Sequence, residues 1–321
     1  MSDTIDTLLL LALPASGKSE VRRYLAKLDT DVCARDFHLG PTVQLDDFPY
    51  VHMMRQTDNA LRALGEAPVF FKSNEQPFED PRDWGTLIEL VNEDYADLKA
   101  KRRLEPNSAA ELLMQRLDNA RQKVGAGQPF AAFSDDLRRK LCDALEKEAR
   151  ELLNDKHDNY PDTLEGKTLV IEFARGGPQG AAMPLAKPFG YAHSVGLLAP
   201  EILENAAVLY VWVTPEESRR KNDARTDPND PGSILHHGVP IEVMLNDYGC
   251  DDIAHLVEQS DQTGTVRIEA HGKVYHLPLA RFDNRVDKTS FVRADAKDWA
   301  EADVKALHEG LAGALSSLAK G

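Results

Sequence analysis

Cysteine is scarce in this 321-residue chain: Cys33, Cys142 and Cys250 are three in number, far apart and without a CxxC pair, so no disulfide framework is expected. The ten histidines do not fall at metal-ligand spacing, which argues against a transition-metal centre. The thiols read as buried and reduced. Long apolar runs are missing too. The run from Leu8 to Leu13 is too short to cross a bilayer and lacks the basic flank and cleavage site of a secretion signal. A cytoplasmic location without a membrane partner is the expectation. Positive charge is also outnumbered: 38 Lys and Arg against 53 Asp and Glu leave a net charge of −15, which opposes binding to nucleic acid or anionic lipid.

What remains is an ordinary globular composition, 42% hydrophobic and 28% charged, in a chain long enough to bury a large core unaided. The most informative segment is the short apolar run itself. Leu8 to Leu13 reads as a fully buried parallel strand, followed by Pro14, Ala15, Ser16, Gly17, Lys18 and Ser19, then a helix from Glu20 to Leu28. Strand, tight loop, Gly-Lys-Ser and helix form the order a P-loop requires, because backbone N–H groups and a helix N-terminus then face one phosphate chain. Lys18 would reach the β- and γ-phosphates, and the Ser19 hydroxyl would hold Mg²⁺. Ala12 stands where the pattern expects its first glycine, a place alanine fills only at negative φ.

The stretch Leu13 to Ser19 resembles the loop of the small-molecule kinases, the adenylate kinase and uridine kinase group. That resemblance implies an α/β fold of P-loop NTPase type, a parallel sheet flanked by helices, with ATP and Mg²⁺ as cofactors. Further on, Pro41 to Tyr50 reads as a strand ending in Asp46 and Asp47, and it is similar to the Asp-Asp-Phe segment of uridine kinase and nicotinamide riboside kinase. The resemblance assigns the proton-accepting base to Asp46 or Asp47. Strand alternation puts Asp47 on the packed face of Val43 and Leu45 and favours Asp46.

A later apolar strand, Thr168 to Phe173, carries Glu172 near its end and resembles the Val-Ile-x-Glu-Gly strand of uridine kinase-like proteins, which implies a Mg²⁺ role for Glu172. Arg175, Gly176 and Gly177 then read as a polar loop at the cleft. The strand Ala207 to Val213 leads into Thr214-Pro215, a cap and first helical residue, and a helix bearing Arg219, Arg220, Lys221 and Arg225. In the resembled kinases such arginines lead into a lid and clamp the transferring phosphoryl group. Thr226 to Gly238, rich in Pro, Asp, Asn and Gly, reads as a mobile lid or a disordered loop.

Between the strands, Ala67 to Asn74 reads as another strand. Residues 75–165 read as a helical insertion covering the acceptor site, with helices near Trp84 to Arg103, Ser108 to Val124 and Ser134 to His157. Its acidic excess suggests a solvated outer face. Residues 1–74 and 166–321 would form the core, with a hairpin over Thr265 to Leu277, a polar loop over Pro278 to Phe291 and a terminal helix over Ala296 to Lys320. The expected function is an ATP-dependent phosphotransferase acting on a small hydroxyl-bearing acceptor, a nucleoside or nucleotide being one candidate. The alternative is a regulatory nucleotide-binding NTPase without a small acceptor. Paired aspartates favour the first, and the large insertion, by offering partner surface, favours the second.

Overall fold

The computed structural model describes residues 4–225 and 238–318. Strand β1 (Thr7–Leu11) is buried along its whole length. Alternate leucines face opposite sides of a sheet, so a run without polar alternation needs cover on both faces. Leu8 and Leu10 pack against Val21 and Tyr24 of α1 (Lys18–Leu25) and Phe37 of α2 (Thr30–Phe37). Leu9 and Leu11 face a second core on the other side.

The chain continues through β2 (Thr42–Asp46), α3 (Phe48–Ala63), α4 (Asp83–Ala100), α5 (Ala109–Lys123), α6 (Asp135–Asp158) and β3 (Thr168–Phe173). Short helices α7 (Gly190–Gly196) and α8 (Pro200–Leu203) lead to β4 (Ala206–Trp212) and α9 (Pro215–Arg225). After the undescribed residues come α10 (Ile241–Asn246), α11 (Ile253–Glu258), β5 (Thr265–Ala270), β6 (Lys273–Asp283) and α12 (Glu301–Leu315). The six strands make one sheet in the order β2-β3-β1-β4-β6-β5, parallel except for β5. The fold is therefore α/β, a mostly parallel sheet flanked by helices. The β5–β6 hairpin turns through His271 and Gly272, both at positive φ (51° and 71°), as a two-residue hairpin loop of matching twist requires.

Topology fixes where a ligand can sit. From β1 the chain crosses to β2 over the α1 face, whereas from β3 it crosses to β4 under α7 and α8 on the opposite face. The crevice at the carboxyl ends of β1 and β3 lies where these crossovers diverge, the position at which open α/β sheets bind ligands.

The middle helices begin where the sequence signals them. Ser108 accepts the Glu111 N–H at 3.1 Å and Ser134 accepts the Leu137 N–H at 3.3 Å, capping α5 and α6. Together with α3, they enclose a separate core that includes Met54, Leu61, Phe70, Leu113 and Leu141. Helix α4 joins both cores: Leu87 and Leu90 face the helical one, Ile88 and Val91 the sheet.

Two expectations are corrected here. Residues 67–74 are not a strand; their ordered contact is a single bridge between Phe71 and Phe78. Buried Asp58 accepts the N–H groups of Val69, Phe70 and Phe71, at 2.7, 3.1 and 2.6 Å, which a strand ladder would otherwise use. Nor are the acids of residues 75–165 simply a solvated face. Asp83, Asp94, Asp97 and Asp118 are buried, and Arg121, Arg116 and Lys156 pair with the first three. No helix among the described residues is long and apolar enough to cross a membrane.

Candidate functional site

The loop between β1 and α1 is held from several sides. Its left-handed residues are Ala15 (φ 55°) and Gly17 (φ 106°), and Ala12 is not among them. A Cβ at Gly17 would come within 2.5 Å of Thr289 Oγ1, so glycine is required there by both backbone angle and space. Asn284 donates to the Ser16 carbonyl at 2.8 Å, and Ser218 on α9 donates to the Pro14 carbonyl at 2.7 Å. The Ser16 hydroxyl closes the loop on Leu13 O at 2.6 Å. Part of the polar segment after β6 thus braces this loop from behind.

Helix α1 starts at Lys18 with no side-chain cap on Gly17. Its first internal bond is Val21 N–H to Gly17 O, and Lys18, Ser19 and Glu20 of its first turn line a cavity. Lys18 is buried, with Nζ 3.4 Å from Ala12 O. Together, loop and helix form one end of a cavity of about 210 Å³ that Pro14 to Glu20 line along with Asp46, Asp47 and Glu172.

Two of the carboxylates lie on strands and the third, Asp47, just past the end of β2. Asp46 and Glu172 are register partners on β2 and β3, and both point toward α1. Arg22, one turn after Lys18, places Nη1 3.1 Å from Asp46 and 2.7 Å from Glu172. Burial pushes the Asp46 pKa up to about 7, the nearby Glu172 and Asp47 charges add to the rise, and Arg22 opposes it. A fifth of the Asp46 side chain (21%) stays accessible.

Asp47 turns the other way and meets Arg175 at 2.6 Å, both side chains buried. Burial raises its pKa, and Arg175, then Lys18, pull it back. Arg175 also donates to Ser194 Oγ and to the Trp84 carbonyl, at 3.1 Å each, and sits 4.9 Å above the Trp84 ring. It is therefore a packed clamp on Asp47 and not part of an open polar loop, correcting the sequence expectation.

The helix expected to carry a cationic clamp is placed differently. Arg219 and Arg220 pair along α9 with Glu216 (3.3 Å) and Glu217 (2.7 Å), and neither lines the cavity. Lys221 on that helix is buried and lies 3.0 Å from Asp287. The side chain of Arg225 lies outside the described residues, as does the segment read as a lid apart from Gly238.

Residues that sequence reasoning missed complete the cavity. Beyond the carboxylates and Phe48 its wall includes Phe71, Phe78, Trp84 and Tyr248, with Asp247 and Arg55 among the polar groups. No local pattern marks them, because they come from separate segments. Ser19, Asp46 and Glu172 offer oxygen donors, the hard ligands that suit Mg²⁺. Among the described residues no group of three or more His, Cys, Asp or Glu is arranged to hold a metal by itself. Compared with protein-family models, with curated proteins and with solved structures, the chain matches none.

Proposed function

We propose that this protein is an ATP-dependent phosphotransferase of P-loop type that acts on a small hydroxyl-bearing acceptor. The observation that supports it is one cavity with the 14–19 loop, Lys18 and the uncapped start of α1 at one side and Asp46, Asp47 and Glu172 beside them. Phosphate fits the first group because helix N–H dipoles and an ammonium attract anionic oxygens. A hydroxyl nucleophile fits the second, because its proton needs an acceptor as the phosphoryl group moves.

The two aspartates divide the work. Asp47 is held through Oδ2 by buried Arg175, so it positions the loop after β2. Asp46 keeps accessible surface and a raised pKa, which lets it take a proton near neutral pH. Mg²⁺ bound with the nucleotide would neutralise phosphate charge. The donor set suits a cation held by Ser19 and a single carboxylate, Glu172 first, with nucleotide oxygens and water completing its shell, because Mg²⁺ seldom uses an all-protein cage. The proposal gives Arg219, Arg220 and Arg225 no part in holding the nucleotide.

The test is ADP release from MgATP across a panel of small alcohols and nucleosides, with water as reference. Acceptor-dependent release that Lys18→Ala lowers by roughly 10²-fold or more, with unchanged thermal unfolding, supports the reading. Lys18→Ala turning over at the normal rate contradicts it.

A further inference from the structure

The phosphate side of the cavity leaves its aromatic side unexplained. Phe71 stacks on Phe78 at 4.4 Å between ring centroids, Phe78 meets Trp84 edge-on at 4.8 Å, and Trp84 meets Tyr248 at 5.4 Å. All four rings line the cavity. A connected aromatic wall favours a flat apolar occupant, which can stack or meet ring edges without losing hydrogen bonds.

Asp247 is set into the same wall and is 5% exposed. Its Oδ2 is buried without a hydrogen-bond partner. Buried Asp97 also has an oxygen without a hydrogen bond, but Lys156 and Arg102 pair with that carboxylate. Asp58, Asp118 and Asp252 each accept two or more backbone N–H groups. Asp247 also sits at the C-terminal cap of α10, where the helix dipole disfavours negative charge. Among the described residues the Trp84 side chain is its one protein donor, and the neighbouring cations that also favour its charge are committed elsewhere: Arg175 to Asp47, and Arg55 to the Asn74 carbonyl at 2.7 Å and the face of Phe71 at 4.1 Å. Burying a carboxylate oxygen without a hydrogen bond is costly, so a residue kept only for packing would be apolar here.

We infer that the acceptor is a flat-ringed alcohol carrying an N–H donor, with the ring against Phe71, Phe78, Trp84 and Tyr248 and the donor on Asp247 Oδ2. The identification of this molecule as the acceptor rests on the phosphotransferase reading; the ring-and-donor subsite does not. A site built to accept an N–H rejects an analogue lacking it, because the carboxylate is then left unpaired.

The test uses matched probes on the full chain: 4-aminobenzyl alcohol, 4-(aminomethyl)benzyl alcohol, cytidine and adenosine, each beside the same molecule with its amine replaced by hydrogen. Calorimetry gives affinities, and ADP release from MgATP gives turnover. The expected result is binding at least 10-fold tighter for the amine in one or more pairs, the aminomethyl pair reporting a cationic donor and the others a neutral one. Asp247→Leu should abolish that difference. Asp247→Asn, which keeps a neutral acceptor, should retain part of it for a neutral donor and little for a cation. Equal affinities within every pair, or a preference that survives Asp247→Leu, overturn the inference. ADP release stimulated equally by both members of each pair overturns the inference and leaves the phosphotransferase reading standing. Asp247-dependent binding without ADP release from any probe supports the subsite and overturns its identification as the acceptor site.

Discussion

Asp46 and Glu172 stand side by side as register partners on β2 and β3, and one guanidinium nitrogen of Arg22 lies 3.1 Å from the first and 2.7 Å from the second. Two acids thus share a single cation on the face of the sheet where α1 begins. Their separation in sequence is large, and the parallel register is what unites them. Burial in this arrangement raises the Asp46 pKa to about 7 against the pull of Arg22.

Removing Arg22 should expose how closely these charges balance. Arg22→Met leaves two carboxylates facing each other, but Arg22 and Asp46 retain side-chain exposures of 28% and 21%, so solvent moderates the loss. We expect a cost of about 1–3 kcal/mol at pH 8, below the range for fully buried pairs. The deficit should shrink at pH 6, because Asp46, whose pKa is about 7 with Arg22 in place and rises further without it, then holds a proton and the repulsion disappears. Urea unfolding at both pH values checks this, and an equal deficit at each contradicts it.

Asp46 also sets a pH profile for turnover. As a base it must be ionised, so kcat/KM should rise about tenfold per pH unit below about 7 and level off above it. Asp46→Asn should lower kcat by roughly 10² to 10⁴-fold and flatten that rise. Asp47→Asn should instead reduce stability by about 3–5 kcal/mol, because buried Arg175 loses its carboxylate. The reverse pattern would exchange the two roles.

Asp247 should burden the unliganded fold. Burial raises its pKa to about 7, so the native state holds a proton that the unfolded chain releases from about pH 4 upward. Stability is therefore lost as pH rises through the window from about 4 to 7, and the penalty is complete above it. Asp247→Asn removes the charge and keeps the shape. The variant should gain roughly 1–3 kcal/mol over the wild type at pH 8 and less at pH 5, read from unfolding curves. A loss of stability at pH 8 would mean that Asp247 is a structural group.

Much of the sheet was legible because its signals are local. The unbroken leucines of β1 can only be a strand covered on both faces, and Ser108 and Ser134 mark helix starts by a short-range hydrogen bond. The two aspartates do meet different partners, Arg22 and Arg175, but strand alternation does not separate them: β2 ends at Asp46, Asp47 has helical backbone angles, and both line the cavity. What escaped depends on long-range register. Nothing near Arg22 announces a partner 150 residues away, and nothing near Asp247 announces the aromatic wall. Residues 67–74 misled because their apolar pattern suits a strand, whereas Asp58, on a different element, takes the N–H groups. The acids of residues 75–165 misled for a related reason: composition counts charge but does not show which charges the fold pairs inside.

The most direct test of the central claim follows the γ-phosphoryl group of ATP. ATP labelled at the γ-phosphate is incubated with Mg²⁺, the full chain and the alcohol panel, and the label is traced by mass spectrometry in phosphate ester and inorganic phosphate. The account predicts label in the ester of at least one alcohol, at a rate that Lys18→Ala and Asp46→Asn each lower by about 10²-fold or more. Label found only in inorganic phosphate, at a rate no alcohol changes, would contradict it and identify a nucleotide hydrolase without a small acceptor.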